Sequence, residues 1–285
     1  MFLSIDFEDF SHDLKRELGV WDTGPLRVDA LWRSYETIAT FLQDHGGPSG
    51  CTATFFCTGV VAEKAPDLVA HIAKQGHEIA CHYHYHDSMD RQSAATIEQM
   101  LAWAKDSLEQ AANTSVRGFR APKFRLNRNT PEHYKLIERY FDYDSSSFFG
   151  SADECQQFSN SMTLSELQLI PLFSGKYKGS GPQIRLGGTY LKLAPDTVAR
   201  DLITQAKSTG VVPHVYLHPY EAVDHGKFWV PRNDLKKLGI GKATYWAARQ
   251  NQWLRFGGAR LIRKLARLIP PEGLSGRLDQ LLLDK

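Results

Sequence analysis

Residues 51–82 read "CTATFFCTGVVAEKAPDLVAHIAKQGHEIACH" and hold a complete strand–helix–strand unit. The β-branched and aromatic run "CTATFFCTG" (51–59) has strand character and is closed by Gly59. "APDLVAHIAKQG" then spaces its apolar residues as a helix does, and "HEIACH" returns to a strand pattern.

The alternation extends outward on both sides. "FLSIDFEDF" near the start is a short apolar run that breaks into acids, the pattern of a buried strand ending at a polar site. Residues 29–45 place Leu31, Tyr35, Ile38, Phe41 and Leu42 at helical spacing. Further on, "AATIEQMLAWAKDSLEQAA" (94–112) predicts a helix, "VRGFRAP" a strand, "PEHYKLIERY" a helix and "YDSSSF" a strand. "PDTVARDLITQAKSTG" and "VVPHVYLHPYE" supply a last helix and strand. Residues 150–190, rich in Gly, Ser and Lys and without a period, read as a long loop or hairpin insertion. Strands alternating with helices indicate an α/β fold with a parallel sheet and crossover connections. In an α/β barrel the strand ends converge on one face, and at least five here carry side chains capable of chemistry.

The 285 residues, 42% of them hydrophobic, are ample for one large α/β domain or two small ones. A formal net charge of +2 gives no ground for a nucleic-acid partner. Cys51, Cys57, Cys81 and Cys155 form no CxxC pair, which fits a reducing compartment. Acidic residues appear by position 6, unlike a secretory leader, and no run reaches the ~18 apolar residues of a membrane span. The expected location is therefore cytoplasmic. Residues 226–285 break the rhythm. "WLRFGGARLIRKLARLI" (253–269) sets Leu254, Leu261, Ile262, Leu265, Leu268 and Ile269 against Arg255, Arg260, Arg263, Lys264 and Arg267. Such a C-terminal extension either packs on the body of the domain or makes peripheral contact with an anionic membrane surface.

Four of the eleven histidines lie in "GHEIACHYHYHDSMD" (76–90). His82 and His86, four apart, suit two nitrogen ligands of a Zn²⁺-like ion, whereas His84 faces elsewhere and His77 ends the preceding loop. Asp6, Glu8 and Asp9 cluster at a strand end and offer a third ligand.

Read together, "SIDFED", "TATFFCTG", "GHEIACHYHYH", "RGFRAPKF" and "VYLHPYE" resemble, in order and spacing, the motifs of the polysaccharide deacetylase (NodB-homology) family of carbohydrate esterases. The likeness spans roughly residues 2–221 and is closest to a cytoplasmic branch whose first motif is Asp-x-Glu-Asp. It implies a distorted (β/α) barrel of about seven strands, a catalytic domain over residues 1–225 and a divalent metal cofactor, with Zn²⁺ the default. It further implies Asp6 as general base, His82 and His86 as metal ligands, and a carboxylate after Asp6 as the third ligand. Phe7 directly follows Asp6, so that ligand is Glu8, on the same side by strand alternation, or Asp9, presented by a turn. Arg120 would orient the base and Pro122 shape the substrate loop. His218 would be the general acid and Leu217 part of the wall for the acetyl methyl. Asp144 stands near the family's partner for the acid histidine, though the tryptophan usual there is missing. Tyr190, in "GGTYLKLAP", would line the sugar site.

The expected activity is metal-dependent removal of an N-acetyl group from an N-acetylated sugar, a nucleotide- or lipid-linked sugar or a glycan intermediate, in surface polysaccharide (lipopolysaccharide or O-antigen) biosynthesis. The competing readings are a deformylase or cyclic-imide hydrolase on the same scaffold and a non-catalytic sugar-binding module.

Overall fold

A computed structural model describes residues 1–20, 23–46, 52–223, 225–255 and 258–282. In chain order the strands are β1 (Phe2–Phe7), β2 (Thr54–Cys57), β3 (Glu78–Cys81), β4 (Gly118–Phe119), β5 (Tyr143–Asp144), β6 (Phe148–Phe149), β7 (Gln168–Leu169), β8 (Leu172–Lys176), β9 (Gln183–Arg185) and β10 (His214–Leu217). Seven of them form one sheet in the order β10-β1-β2-β3-β4-β5-β7, with every pairing parallel. The strands therefore make the distorted (β/α) barrel expected, open between β7 and β10. A small three-stranded sheet, β6-β8-β9, accompanies it.

The helices are α1 (Phe10–Glu17), α2 (Val28–His45), α3 (Gly59–Lys64), α4 (Pro66–Lys74), α5 (Ala94–Ala112), α6 (Pro131–Tyr140), α7 (Ala152–Ser161), α8 (Gly188–Leu193), α9 (Asp196–Ser208), α10 (Ile240–Leu254) and α11 (Gly258–Leu268). The stripe read from the sequence of α2, Leu31, Tyr35, Ile38, Phe41 and Leu42, is buried throughout. No described helix is long and apolar enough to cross a membrane.

Side-chain alternation divides the barrel strands into two faces. Leu3, Ile5, Phe7, Phe55, Cys57, Ile79, Cys81, Phe119, Val215 and Leu217 belong to the large core shared with the helices. The alternate residues point inward. At the bottom of the barrel Phe2, Phe56, Ala80 and Tyr143 form a second apolar cluster closed by Leu278. Beside them, Ser4, Asp6, His82, Arg120 and His214 make a buried polar interior. Continuous burial on both faces explains why these strands read as apolar runs broken only at their carboxyl ends.

The segment 150–190 is more ordered than its composition indicates. It contains α7, the sheet strand β7 and the β8–β9 hairpin. The helix shows no apolar period because only Cys155 is buried along it. Its sole local signature is Ser151, whose side chain accepts the Glu154 N–H as an N-cap. The beginning of the strand read at 51–59 has Cys51 outside the described residues.

In the C-terminal segment Leu261, Leu265 and Leu268 are buried in the main core. The apolar stripe considered for lipid contact thus faces the protein, and each leucine contributes roughly 1.5–3 kcal/mol there. Lys264, on the same helix, is buried and donates to the carbonyls of Leu191 and Ala194.

Candidate metal and hydrolytic site

The chemistry-bearing residues follow the carboxyl ends of the barrel strands or, like Asp6, lie within their last turn of chain. Glu8 follows β1, His82 follows β3, Arg120 follows β4, Ser145 follows β5 and His218 follows β10. One ligand atom from each of Glu8, His82 and His86 lies within 4.8 Å of the others. Glu8 Oε2 is 2.7 Å from His86 Nε2 and 3.4 Å from His82 Nε2.

The loop bearing both histidines is held by close packing. Tyr83 adopts φ 67°, a left-handed conformation that reverses the chain between the two ligands. The N–H groups of Gly59 and Val60 donate to the carbonyls of Tyr83 and His84 at 2.8 and 3.0 Å. A Cβ on Gly59 would sit 2.5 Å from His84 Nδ1, so this glycine, the first residue of α3, permits the approach. His84 itself stacks on Trp103, ring centroids 3.6 Å apart. Burial pushes His84 and His77 down to about 4, so both are neutral packing residues at pH 7.

The donor set fits a cation. His82 Nδ1 lies 2.8 Å from the Arg120 carbonyl, an acceptor, so Nδ1 carries the hydrogen. In a neutral imidazole Nε2 then presents a lone pair, facing Glu8 Oε2, which is itself buried and without a hydrogen-bond donor. Two acceptors turned toward each other call for a positive charge between them, and two nitrogens plus one carboxylate oxygen suit a Zn²⁺-class ion. Burial works against a charged Glu8, but the positive charge of His86 beside it outweighs this and holds its carboxyl well below the ordinary range. Burial likewise pushes His86 down, and the Glu8 carboxylate more than restores it, for a net rise.

Asp9, the alternative third ligand, is engaged elsewhere. It caps α1, with Oδ1 accepting from the Ser11 N–H at 2.8 Å and hydroxyl at 2.6 Å, while Oδ2 accepts from the Arg27 N–H at 2.5 Å. The chain turns into a helix directly after Glu8, which leaves Asp9 as N-cap and Glu8 in the site.

Asp6 lies below the cluster. Arg120 Nη1 donates to Asp6 Oδ1 at 2.6 Å and to Ser4 Oγ at 2.8 Å, Nη2 donates to Ser145 Oγ at 2.9 Å, and Nε donates to the Ser145 carbonyl at 3.1 Å. The guanidinium is fully buried, with its carbon 4.0 Å from the Phe56 ring centroid. One carboxylate oxygen is thereby tied down. The other, Oδ2, is 4.0 Å from His218 Nε2.

His218 is oriented by a residue the motifs did not single out. Glu221 Oε2 accepts from the His218 backbone N–H at 2.9 Å and from Nδ1 at 3.2 Å, which aims Nε2 at Asp6. Glu221 Oε1 in turn pairs with Lys192 Nζ at 2.8 Å, with both side chains fully buried. Burial opposes ionisation of Glu221, but the Lys192 charge and the His218 contact hold it down to about 2. Burial lowers His218, and the Glu221 hydrogen bond and charge reverse this to a net rise. Asp144, the expected partner, accepts instead from Ser146 and is raised by burial to about 7. The available signal was Glu221 three residues after His218 in a turn begun by Pro219.

A cavity of about 400 Å³ opens over these groups. Asp6, Glu8, His86 and His218 line its reactive side, and Phe10, Tyr190, Tyr216, Tyr220 and Trp253 give it aromatic walls. Leu217 is corrected: strand alternation turns Tyr216 and His218 toward the cavity and sends Leu217 into the helix-side core. Pro122 is buried and starts the turn that presents Lys123, Phe124 and Arg125 to the cavity. Asp13, also on the wall, went unnoticed in the sequence. Burial raises its carboxyl, and Oδ1 lies 3.0 Å from His12 Nδ1.

The open parallel α/β barrel thus carries a histidine–carboxylate cluster beside an arginine-held aspartate and a further histidine, His218. The family model for polysaccharide deacetylase matches residues 20–139 of the 285. Over 85 residues it is 29% identical to a bifunctional xylanase/deacetylase of Pseudobutyrivibrio xylanivorans, a stretch covering 30% of this chain and 14% of that protein. Among solved structures, a CE4 family pseudoenzyme from Bacillus anthracis superposes with TM-score 0.48 at 15% identity, covering 98% of this chain and 64% of the other. The Xyl-CE4 domain of a multidomain xylanase from the hindgut metagenome of Trinervitermes trinervoides gives TM-score 0.43 at 15% identity, covering 98% and 87%.

Proposed function

We propose that this protein is a divalent-metal-dependent N-deacetylase of an N-acetylated sugar carried on a nucleotide or lipid phosphate, acting in the cytoplasm in surface polysaccharide assembly. The observation that carries the reading is the placement of Asp6 and His218 beside the Glu8–His82–His86 cluster, each fixed by a buried partner, Arg120 or Glu221. The described cysteines, Cys57, Cys81 and Cys155, are free thiols, which fits a reducing compartment.

A divalent ion, with Zn²⁺ expected, would be held by Glu8, His82 and His86, and would supply Lewis-acid polarisation of the acyl carbonyl and acidification of water. The side chains supply the remainder. Asp6 keeps Oδ2 free while Arg120 holds Oδ1, so Oδ2 takes the proton of the attacking water. His218, with Nδ1 donating to Glu221, gives a proton from Nε2 to the departing amine. In the 121–125 turn the N–H groups of Ala121, Phe124 and Arg125 are already bonded, which makes the Lys123 N–H the turn's candidate donor to the oxyanion. The aromatic walls suit the apolar face of a sugar ring and exclude water.

The test is product analysis with a panel of nucleotide- and lipid-linked N-acetylamino sugars and their N-formyl counterparts. Acetate release, lost in Asp6→Asn, is the expected result. Formate release alone would assign a deformylase, and no release from any member by metal-loaded protein would refute an amidohydrolase.

A further inference from the structure

A second cavity, of about 360 Å³, adjoins the reactive one, and the two share a wall formed by Phe124, Arg185 and Tyr190. Arg128, Ser147 and Gln183 line it further out. Two guanidinium groups border this space, and both rest on aromatic rings. The Arg185 guanidinium carbon is 4.3 Å from the Phe148 ring centroid, and that of Arg128 is 4.6 and 4.7 Å from those of Phe149 and Phe158. Among the described residues neither arginine forms an ion pair with a carboxylate. Glu154 is the one carboxylate on this wall, and its Oε2 accepts the Gly150 N–H at 2.9 Å.

The cations of the reactive cavity differ in this respect. Lys123 is matched by Glu17 at 3.1 Å, and Arg125 has Asp90 at 3.9 Å. The unmatched positive charge is therefore concentrated at the junction of the cavities and beyond it. An arginine stacked on a ring is pre-oriented and keeps its in-plane N–H groups for a planar or tetrahedral oxyanion.

We propose that the second cavity is a subsite for an anionic group, a phosphate or a carboxylate, attached to the sugar that enters the reactive cavity. Arg185 is its principal contact and Arg128 its outer one. The assignment rests on the reading of the first cavity as the deacetylation site, and it supplies that reading with a substrate class: an N-acetylated sugar with an anion beside it.

Calorimetric titration of the full chain with glucose 1-phosphate, methyl glucuronide and methyl glucoside tests this without requiring turnover. Glucose 1-phosphate or the glucuronide is expected to bind roughly 10- to 100-fold more tightly than the neutral glucoside, the worth of one charge-assisted contact. Whichever of the two prevails identifies the anion. Arg185→Met should remove most of that preference and Arg128→Met a smaller part, whereas the exposed Lys242→Met should leave it intact. Equal affinity for all three sugars, or a preference that survives Arg185→Met in folded protein, would overturn the subsite. Anion preference without acetate release from any N-acetylated sugar would remove the deacetylase reading and leave the subsite standing. Acetate release without anion preference would do the reverse.

Discussion

Replacing Lys192 by methionine tests the buried chain Lys192–Glu221–His218. Lys192 Nζ contacts Glu221 Oε1 at 2.8 Å and donates to the Trp253 carbonyl at 2.7 Å. With Lys192 present, Glu221 is held to about 2 against an ordinary value of 4.5. At about 1.4 kcal/mol per unit, that shift corresponds to about 3 kcal/mol of folding free energy. Because the folded value is depressed, the contribution is fully present above pH ~4.5 and disappears as pH falls through about 2. Without the lysine, Glu221 keeps only its contacts with His218 and its Oε1 is buried without a cation, so its pKa moves upward and the destabilisation at pH 7 should be about 3–5 kcal/mol. Urea unfolding of both proteins at pH 7 and at pH 4 or lower should show this gap shrinking as pH falls. Adding Glu221→Gln to Lys192→Met should recover much of the loss, since removing both members of a buried pair is far less costly than removing one. A gap below about 1 kcal/mol at pH 7, or one independent of pH, would refute the coupling.

Glu8→Gln should cut metal retention measured by elemental analysis. Asp9→Asn should keep the metal and lower stability by about 1 kcal/mol through the cap of α1, and metal loss in Asp9→Asn alone would reverse the assignment of the third ligand. Glu78 at the barrel bottom is raised to about 7 by burial and the Asp279 charge, despite hydrogen bonds from Thr54 and Tyr143. Its folded value exceeds the ordinary 4.5, so its stabilising effect is present below that value and lost as pH rises through about 7. Glu78→Gln should flatten the fall in urea midpoint between pH 5 and pH 8, and an unchanged slope would contradict the buried protonated state. Arg120→Met leaves Asp6 buried and unpaired and should cost about 3–5 kcal/mol by urea unfolding, with a loss under about 1 kcal/mol showing that Ser4 and Ser145 suffice to hold the site.

The fold was legible where side-chain direction leaves a period in the chain. Leu3, Ile5 and Phe7 against Ser4, Asp6 and Glu8 announce a strand with a polar inner end, and the α2 stripe announces a helix. The seventh barrel strand was not legible, because Gln168 and Leu169 form only a two-residue, half-buried ladder at the sheet edge. His82 and His86 stood out through their spacing, and Asp6, Arg120 and His218 through collinear motifs. Glu221 and Lys192 did not, because their contact exists only after α8 folds back on the end of β10, with the C-terminal segment clamping it through Lys264 and the Trp253 carbonyl. Leu217 was placed by its neighbours in a motif, whereas the alternation of Tyr216, Leu217 and His218 already placed it on the opposite face.

The most direct test of the account is acetate release from an N-acetylated sugar by the protein as purified, after chelation, and after restoration of one equivalent of Zn²⁺, with His82→Ala in parallel. Activity that is lost on chelation, regained with the metal and absent from His82→Ala is the predicted result. Undiminished release from the chelated protein or from the variant would contradict a metal centre at Glu8, His82 and His86.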